Sequence, residues 1–218
     1  MLQKPEKNFI DFMLAEYAKI EGDELNLKLQ KLFNDFPDDT NKFDVMIKVA
    51  ALNKIYSTAI TNINPVVDKI NEVFKSESLR TEEDYLNLVD KISPVEWTNE
   101  KDISFKRNNT SFASKYVHFV SNRNIPIYDS YIWIIIQAYI AQKNGIKPSF
   151  SNPNNYLEFY NSFIEFKSLY NLKKYSNYTI DKFLWIYGRT LIKEIERDLE
   201  INLEKAKSEL KRRLKACI

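Results

Sequence analysis

The chain has 218 residues, a net charge of +2 and only 3 glycines, Gly22, Gly145 and Gly188. Glycines this few and far apart exclude a P-loop and a G-x-G-x-x-G cradle, and they leave few φ > 0 positions for the tight turns of a sandwich or barrel. The charge excludes a polyelectrolyte, while a single cysteine, Cys217, and a single histidine, His118, exclude a disulfide framework and a Cys/His metal centre.

Helical periodicity runs along the chain. Phe9, Phe12, Met13, Tyr17 and Ile20 mark one face of a first helix that Gly22 should stop. Leu25, Leu29, Leu32, Phe33 and Phe36 mark a second, ended by Pro37. The turn over residues 38–41 supplies an N-cap for a third helix, from Phe43 to about Ile60. Pro65 suits the first turn of a fourth, and Thr81 with the acids behind it opens a short fifth ending near Ile92. From Ser93 to Asn109 the pattern loosens, and no strand is expected there or elsewhere. Thr110 or Ser111 caps a helix over Phe112 to Phe119. Asp129 or Ser130 caps a very apolar helix from Tyr131 to Gln142, closed by Gly145; apolar on all sides, it reads as the central buried helix. Tyr156 to Leu172 is helical. A last long helix runs from Ile180 to about Leu214, with a stripe from Leu191 through Leu199, Leu203 and Leu210 to Leu214 that packs on the domain or pairs with a partner.

The fold class expected is all-α: one domain over residues 1–218, built as two helical lobes with their boundary within 93–110 and a long C-terminal helix over 189–218. The N-terminus lacks the apolar core of a signal peptide, and the run from Tyr131 to Ile140 is too short to span a bilayer, so a cytoplasmic protein with no membrane partner is expected. No cofactor or metal is called for.

Three blocks carry a resemblance. The first runs from Lys48 to Ile60. The second comprises Ser111-Phe112-Ala113-Ser114-Lys115-Tyr116-Val117-His118-Phe119 and Ile125-Pro126-Ile127-Tyr128-Asp129-Ser130-Tyr131. The third runs from Thr179 to Gly188. In this order they resemble bacterial proteins of the 8-oxoguanine DNA glycosylase fold, a divergent branch of the helix-hairpin-helix DNA glycosylase superfamily. The resemblance implies double-stranded DNA as partner and Asp129 as the key carboxylate. It also implies a DNA-gripping hairpin near Lys106, Arg107, Asn108, Asn109 and Thr110, and a base pocket drawing on Asn53, Tyr56, Ser57, Tyr128 and Tyr131. Counting back 18 residues from Asp129, to the place where strand-cutting relatives carry a Schiff-base lysine, reaches Ser111. Lyase chemistry is therefore not expected unless Lys115, one turn further along the same face, supplies the amine.

The residues support two readings of each feature. A carboxylate near an anomeric carbon can activate a nucleophile or stabilise oxocarbenium-like charge, and an extruded base needs polar edges and aromatic stacking. Asp129 beside Tyr128 and Tyr131 fits that chemistry, and it equally fits a plain helix cap. Lys106, Arg107, Asn108, Asn109, Thr110, Ser111, Lys115 and Arg123 fit a phosphate site at a helix N-terminus, or an ordinary solvated loop. Tyr56 reads as core and Ser57 as a fraying helix end if the resemblance is set aside; His118 reads as a core or boundary residue. Two functions of different class follow. One is a DNA-binding protein that reads or excises an extruded modified base, as a monofunctional glycosylase. The other is an inactive helical interaction or regulatory protein, for example in bacterial defence, that meets a homodimer or protein partner through its C-terminal helix.

Overall fold

The structure, a computed structural model, describes residues 1–20, 22–98 and 100–216. Among these it holds ten helices and one two-stranded sheet, in the order α1 (Lys7–Lys19), α2 (Gly22–Asp35), α3 (Lys42–Tyr56), α4 (Asn64–Ser76), α5 (Glu82–Ile92), β1 (Pro94–Thr98), β2 (Ser104–Asn108), α6 (Thr110–Val120), α7 (Ser130–Asn144), α8 (Tyr156–Leu169), α9 (Asn177–Leu199) and α10 (Leu203–Ala216). The chain divides into two compact units. The first comprises Met1–Asp23, Asp129–Asn154 and Glu158–Ile218; the second comprises Glu24–Tyr128 and Asn155–Leu157.

In the first unit α9 is the hub, and α1, α7 and α10 all pack on it. The apolar reading of α7 holds: Ile132, Trp133, Ile134, Ile135, Ile136, Ala138, Tyr139 and Ala141 are all buried. Gly145 takes the left-handed conformation (φ 66°) that ends this helix. Aromatic rings fill the space between α1, α7, α8 and α9. Phe9 meets Phe183 and Tyr187 edge-on, and Tyr139 stacks on Phe166 at 5.1 Å. Such pairs add about 0.5–1.5 kcal/mol each to the area they bury.

In the second unit α3 packs on α4 and α6, and α5 on α4 and α6. Asn41 caps α3 by accepting from the Phe43 amide. Thr81 and Asp84 form a reciprocal capping box at the start of α5. Pro65 lies in the first turn of α4, where its missing N–H costs nothing.

Several expectations are corrected. The stretch 93–110 is neither strandless nor a lobe boundary. It lies wholly inside the second unit and carries an antiparallel hairpin, with Val95 opposite Arg107 and Trp97 opposite Phe105. The Asn109 amide donates to the Ser93 carbonyl (2.9 Å) and closes the hairpin onto α6. Its turn needs no glycine because Asp102 adopts φ 56°, which a short polar side chain tolerates. The third helix stops at Tyr56 rather than Ile60, because Ser57 turns left-handed (φ 49°). The long C-terminal helix is two helices. Glu200 breaks it at φ 52°, and the Asn202 side chain caps α10 by accepting from the Lys205 amide (3.1 Å). The stripe residues Ala206, Leu210 and Leu214 are buried, and α10 packs on α9 of its own chain. Gly22 does not terminate the first helix, which ends at Lys19; it begins α2 and lies against the Tyr17 ring, where a Cβ would come within 2.5 Å of the ring carbon Cζ. Cys217 lies outside the described residues.

Candidate functional site

The second unit draws together residues from three separate stretches. At the C-terminal end of α3, Asn53 organises the turn that follows. Its Nδ2 donates to the Ile60 carbonyl (2.8 Å), and its Oδ1 accepts from the Thr58 hydroxyl (2.8 Å) and the Ile60 amide (3.0 Å). That turn holds two non-glycine left-handed residues, Ser57 and Ala59 (φ 49° and 56°). Arg107, from β2, donates to the Ala59 carbonyl (2.7 Å) and fixes the turn from the other side. The Tyr56 hydroxyl donates to Asn26 Oδ1 (2.7 Å).

In the middle of α6 stands a buried lysine, Lys115. Side chains on a helix lean toward its N-terminus, and Lys115 does so: its Nζ donates to the Ser111 hydroxyl (2.7 Å) and carbonyl (3.1 Å). The same ammonium lies 5.5 Å from the centre of the Tyr56 ring, while the residue as a whole is only 4% exposed. The amine of Lys115 is thus returned one turn, to the level of Ser111. Beyond it, Ser114 accepts from the Tyr128 amide (2.9 Å), so the segment leading to Asp129 is held against α6. Tyr156 donates its hydroxyl to the Pro126 carbonyl of the same segment.

The other expected DNA contacts take separate places. The turn expected over Lys106–Thr110 is the second strand of the hairpin followed by the first residues of α6. Lys106 is exposed and paired with Glu96 across the strands (2.6 Å); the pairing raises the lysine and lowers the carboxyl from their ordinary ranges. Asn108 accepts from the Thr110 hydroxyl (2.8 Å), and Asn109 is buried at the helix start. Arg123 is half-buried in a left-handed turn (φ 66°), its amide donating to the His118 carbonyl (2.6 Å). In the hairpin the side chains of Lys106, Arg107 and Asn108 each have a partner within the second unit. His118 is buried, as expected; its Nδ1–H donates to the Ile125 carbonyl (2.6 Å), and burial lowers its pKa to about 4.

In the first unit Asp129 is the N-cap of α7, half-buried, with Oδ1 accepting from the Tyr131 amide (2.8 Å). The cap is therefore present. It occupies one of two carboxylate oxygens. Tyr131 is half-buried beneath Lys207, whose Nζ lies 5.4 Å from the ring centre. Burial pushes the Tyr131 phenol up, and the charge of Asp129 adds to that. Gly188, in α9, makes this end of α7 possible: a Cβ there would meet Tyr131 Cβ at 3.0 Å and Ile135 Cγ1 at 3.2 Å. Gly188→Ala should therefore force α9 away from the Asp129 end of α7. We expect a loss of about 1–3 kcal/mol, measured as a lower urea midpoint, and an unchanged midpoint would mean the helices can shift at no cost.

Two groups were not legible as site residues. One is Ser114, whose signal was only its place one residue before Lys115. The other is the set formed by Asp39, Lys48 and Tyr116, whose signal was a lysine inside the apolar run from Val45 to Leu52.

Fold and geometry define a predominantly helical protein of two units, with a small hairpin in the second. Among the described residues, no helix is long and apolar enough to cross a membrane. Residues 9–124, just over half of the chain, match the family described as the HI_0787_N N-terminal domain, and the protein belongs to that family. No curated protein and no solved structure matches it.

Proposed function

We propose that the protein binds double-stranded DNA, in the manner of the helix-hairpin-helix glycosylases it resembles, and engages a base extruded from the duplex, with Asp129 as the carboxylate that acts on the sugar. The observation that carries this reading is the meeting of Lys115, Ser111 and Tyr56. An ammonium, a hydroxyl and an aromatic face come together where α3 and α6 converge, drawn from two of the three blocks that carry the resemblance. A flipped base needs an aromatic face and polar groups of this kind, and phosphate or sugar oxygens need the cation. Asp129 would stabilise the oxocarbenium-like charge as the base departs.

The test uses a property of the cap. Asparagine caps helices as well as aspartate does, so Asp129→Asn keeps the Tyr131 contact and removes only the charge. Duplexes carrying damaged or modified bases should release free base with the wild type, and Asp129→Asn should abolish the release while leaving duplex binding intact. Release that survives Asp129→Asn overturns the role of the carboxylate. Borohydride trapping reads the lyase separately: a covalent adduct lost in Lys115→Arg assigns the amine to Lys115.

The pairing of Lys106 with Glu96 and the use of Asp129 Oδ1 as a cap favour a second reading, a helical interaction protein without catalysis. Absence of both duplex binding and base release would establish it over the first.

A further inference from the structure

We infer that α10 is a contact strip for the sugar–phosphate backbone of duplex DNA; this rests on the DNA-binding reading above and adds a surface which that reading does not use. The helix carries six basic residues, Lys205, Lys207, Lys211, Arg212, Arg213 and Lys215, against two acids, Glu204 and Glu209. Its net charge of +4 exceeds the +2 of the whole chain, so the remainder of the protein is net acidic and the positive charge is concentrated here. Helical spacing separates two faces. Ala206, Leu210 and Leu214 form the buried stripe, and α10 packs on α9. Lys205, Ser208, Arg212 and Lys215, three and four apart, form a row on the opposite face, and all four are exposed.

The acids do not cancel this charge. Glu209 accepts from both Arg212 (2.7 Å) and Arg213 (2.8 Å), which hold its carboxyl down to about 2, so one carboxylate is shared by two guanidinium groups. Glu204 pairs with Lys207 (2.9 Å). Lys205, Lys211 and Lys215 take part in no ion pair among the described residues. Lys207 lies on the Tyr131 ring, two residues from Asp129. The strip therefore begins beside the Asp129 end of α7.

A polyphosphate fits this face better than a lipid surface does. A helix that lies in a membrane interface buries an apolar face in the acyl boundary, and the apolar stripe of α10 is already taken by its own chain. The row from Lys205 to Lys215 spans about 15 Å at 1.5 Å per residue, a length over which one DNA strand presents about four phosphates.

The test compares the full-length wild type with Lys205→Gln/Arg212→Gln/Lys215→Gln, binding a short duplex by fluorescence anisotropy at several salt concentrations. Every phosphate that the variant no longer neutralises lowers the slope of log K against log salt by about 0.9. With three such phosphates, raising salt about fourfold should cost the wild type about 40-fold more affinity than it costs the variant. The substitutions leave the buried stripe untouched, and an unchanged thermal midpoint confirms that the fold is kept. Equal slopes for wild type and variant overturn the strip while leaving the DNA-binding reading intact. Wild-type binding to phosphatidylserine vesicles but to no duplex overturns both. A lowered slope alongside base release indifferent to Asp129→Asn keeps the strip and removes the carboxylate chemistry.

Discussion

Lys48→Met is expected to destabilise the second unit by about 3–5 kcal/mol, the usual cost of leaving one member of a buried ion pair alone. Lys48 is 1% exposed and its Nζ lies 2.5 Å from Asp39 Oδ1; the carboxylate itself is 10% exposed. Tyr116, fully buried in α6, donates its hydroxyl to the same oxygen, and Asn71 in α4 donates to the Asp39 backbone carbonyl (3.4 Å). The ammonium also lies 5.4 Å from the Phe33 ring centre and 5.6 Å from that of Tyr116. A single aspartate in the α2–α3 connection thus ties α3, α4 and α6 together, with Lys48 sandwiched by rings from α2 and α6. Burial holds the Asp39 carboxyl above the usual carboxylate range, and the charge of Lys48 pulls it back. Removing the lysine lets it rise further. A carboxyl raised in the folded state contributes stability below its unfolded pKa and loses it as pH rises through the folded pKa. The deficit of Lys48→Met should therefore be largest near neutral pH and shrink toward pH 4. Adding Asp39→Asn, which removes the orphaned charge, should recover part of it. Urea denaturation of the three proteins at both pH values checks this, and a Lys48→Met protein as stable as wild type at neutral pH would sink the account.

Much of the helical framework could be read in the sequence because its signals are local. Asn41, Thr81, Asp129 and Gly145 occupy the cap positions their chemistry suits, and Pro65 the first turn of α4. The chain breaks that escaped share one physical cause, the shortage of glycine. Seven non-glycine residues, Ser57, Ala59, Asp102, Asn122, Arg123, Asn171 and Glu200, take left-handed conformations among the described residues. Each marks a break that glycine would ordinarily announce. Glu200 interrupts an unbroken apolar stripe, and Asp102 turns a hairpin whose only early sign was the alternation of Val95 with Trp97 and of Ile103 with Phe105. The local partners of the expected site residues were not legible, because they come from distant stretches of the chain. Lys115 reaches Ser111, and its ammonium lies 5.5 Å from the centre of the Tyr56 ring, a grouping that spacing along the chain did not announce. Asn53 and Arg107, expected as base and phosphate contacts, brace the turn through Ala59 and Ile60. A turn of two left-handed residues costs of order 1–3 kcal/mol each and persists where its surroundings over-determine it, which is the part those two side chains play.

Acid should loosen the second unit through one side chain. His118, the only histidine of the chain, is fully buried in α6. A carbonyl only accepts, so the Ile125 carbonyl requires the neutral ring to carry its proton on Nδ1. Protonation then adds a buried charge at Nε2. Burial opposes this most, and the positive charges of Arg123 and Lys115 oppose it further, so the pKa falls from 6.5 to about 4. A group with a depressed folded pKa contributes stability above its unfolded pKa and loses it as pH falls toward the folded value. Between pH 6.5 and about 4 the unfolded chain binds a proton that the folded chain refuses, and the stability lost over that window amounts to about 3 kcal/mol. Because the chain has one histidine, its imidazole resonance reports the titration directly by NMR; a midpoint near 6.5 in the folded protein would contradict the burial argument. The stability measurement is a comparison with His118→Asn, whose amide can keep the donation to Ile125 but has nothing to titrate. That variant starts less stable near neutral pH and should lose less as the pH falls. Since α6 also carries Lys115, and the Ser121 hydroxyl donates to the His118 carbonyl (3.1 Å) and accepts from the Ile125 amide (3.2 Å), the loosening would be felt at the turn that leads to Tyr128 and Asp129. Duplex binding lost in acid ahead of global unfolding is the expected consequence, and binding that persists until the whole chain unfolds would confine the effect of His118 to stability alone.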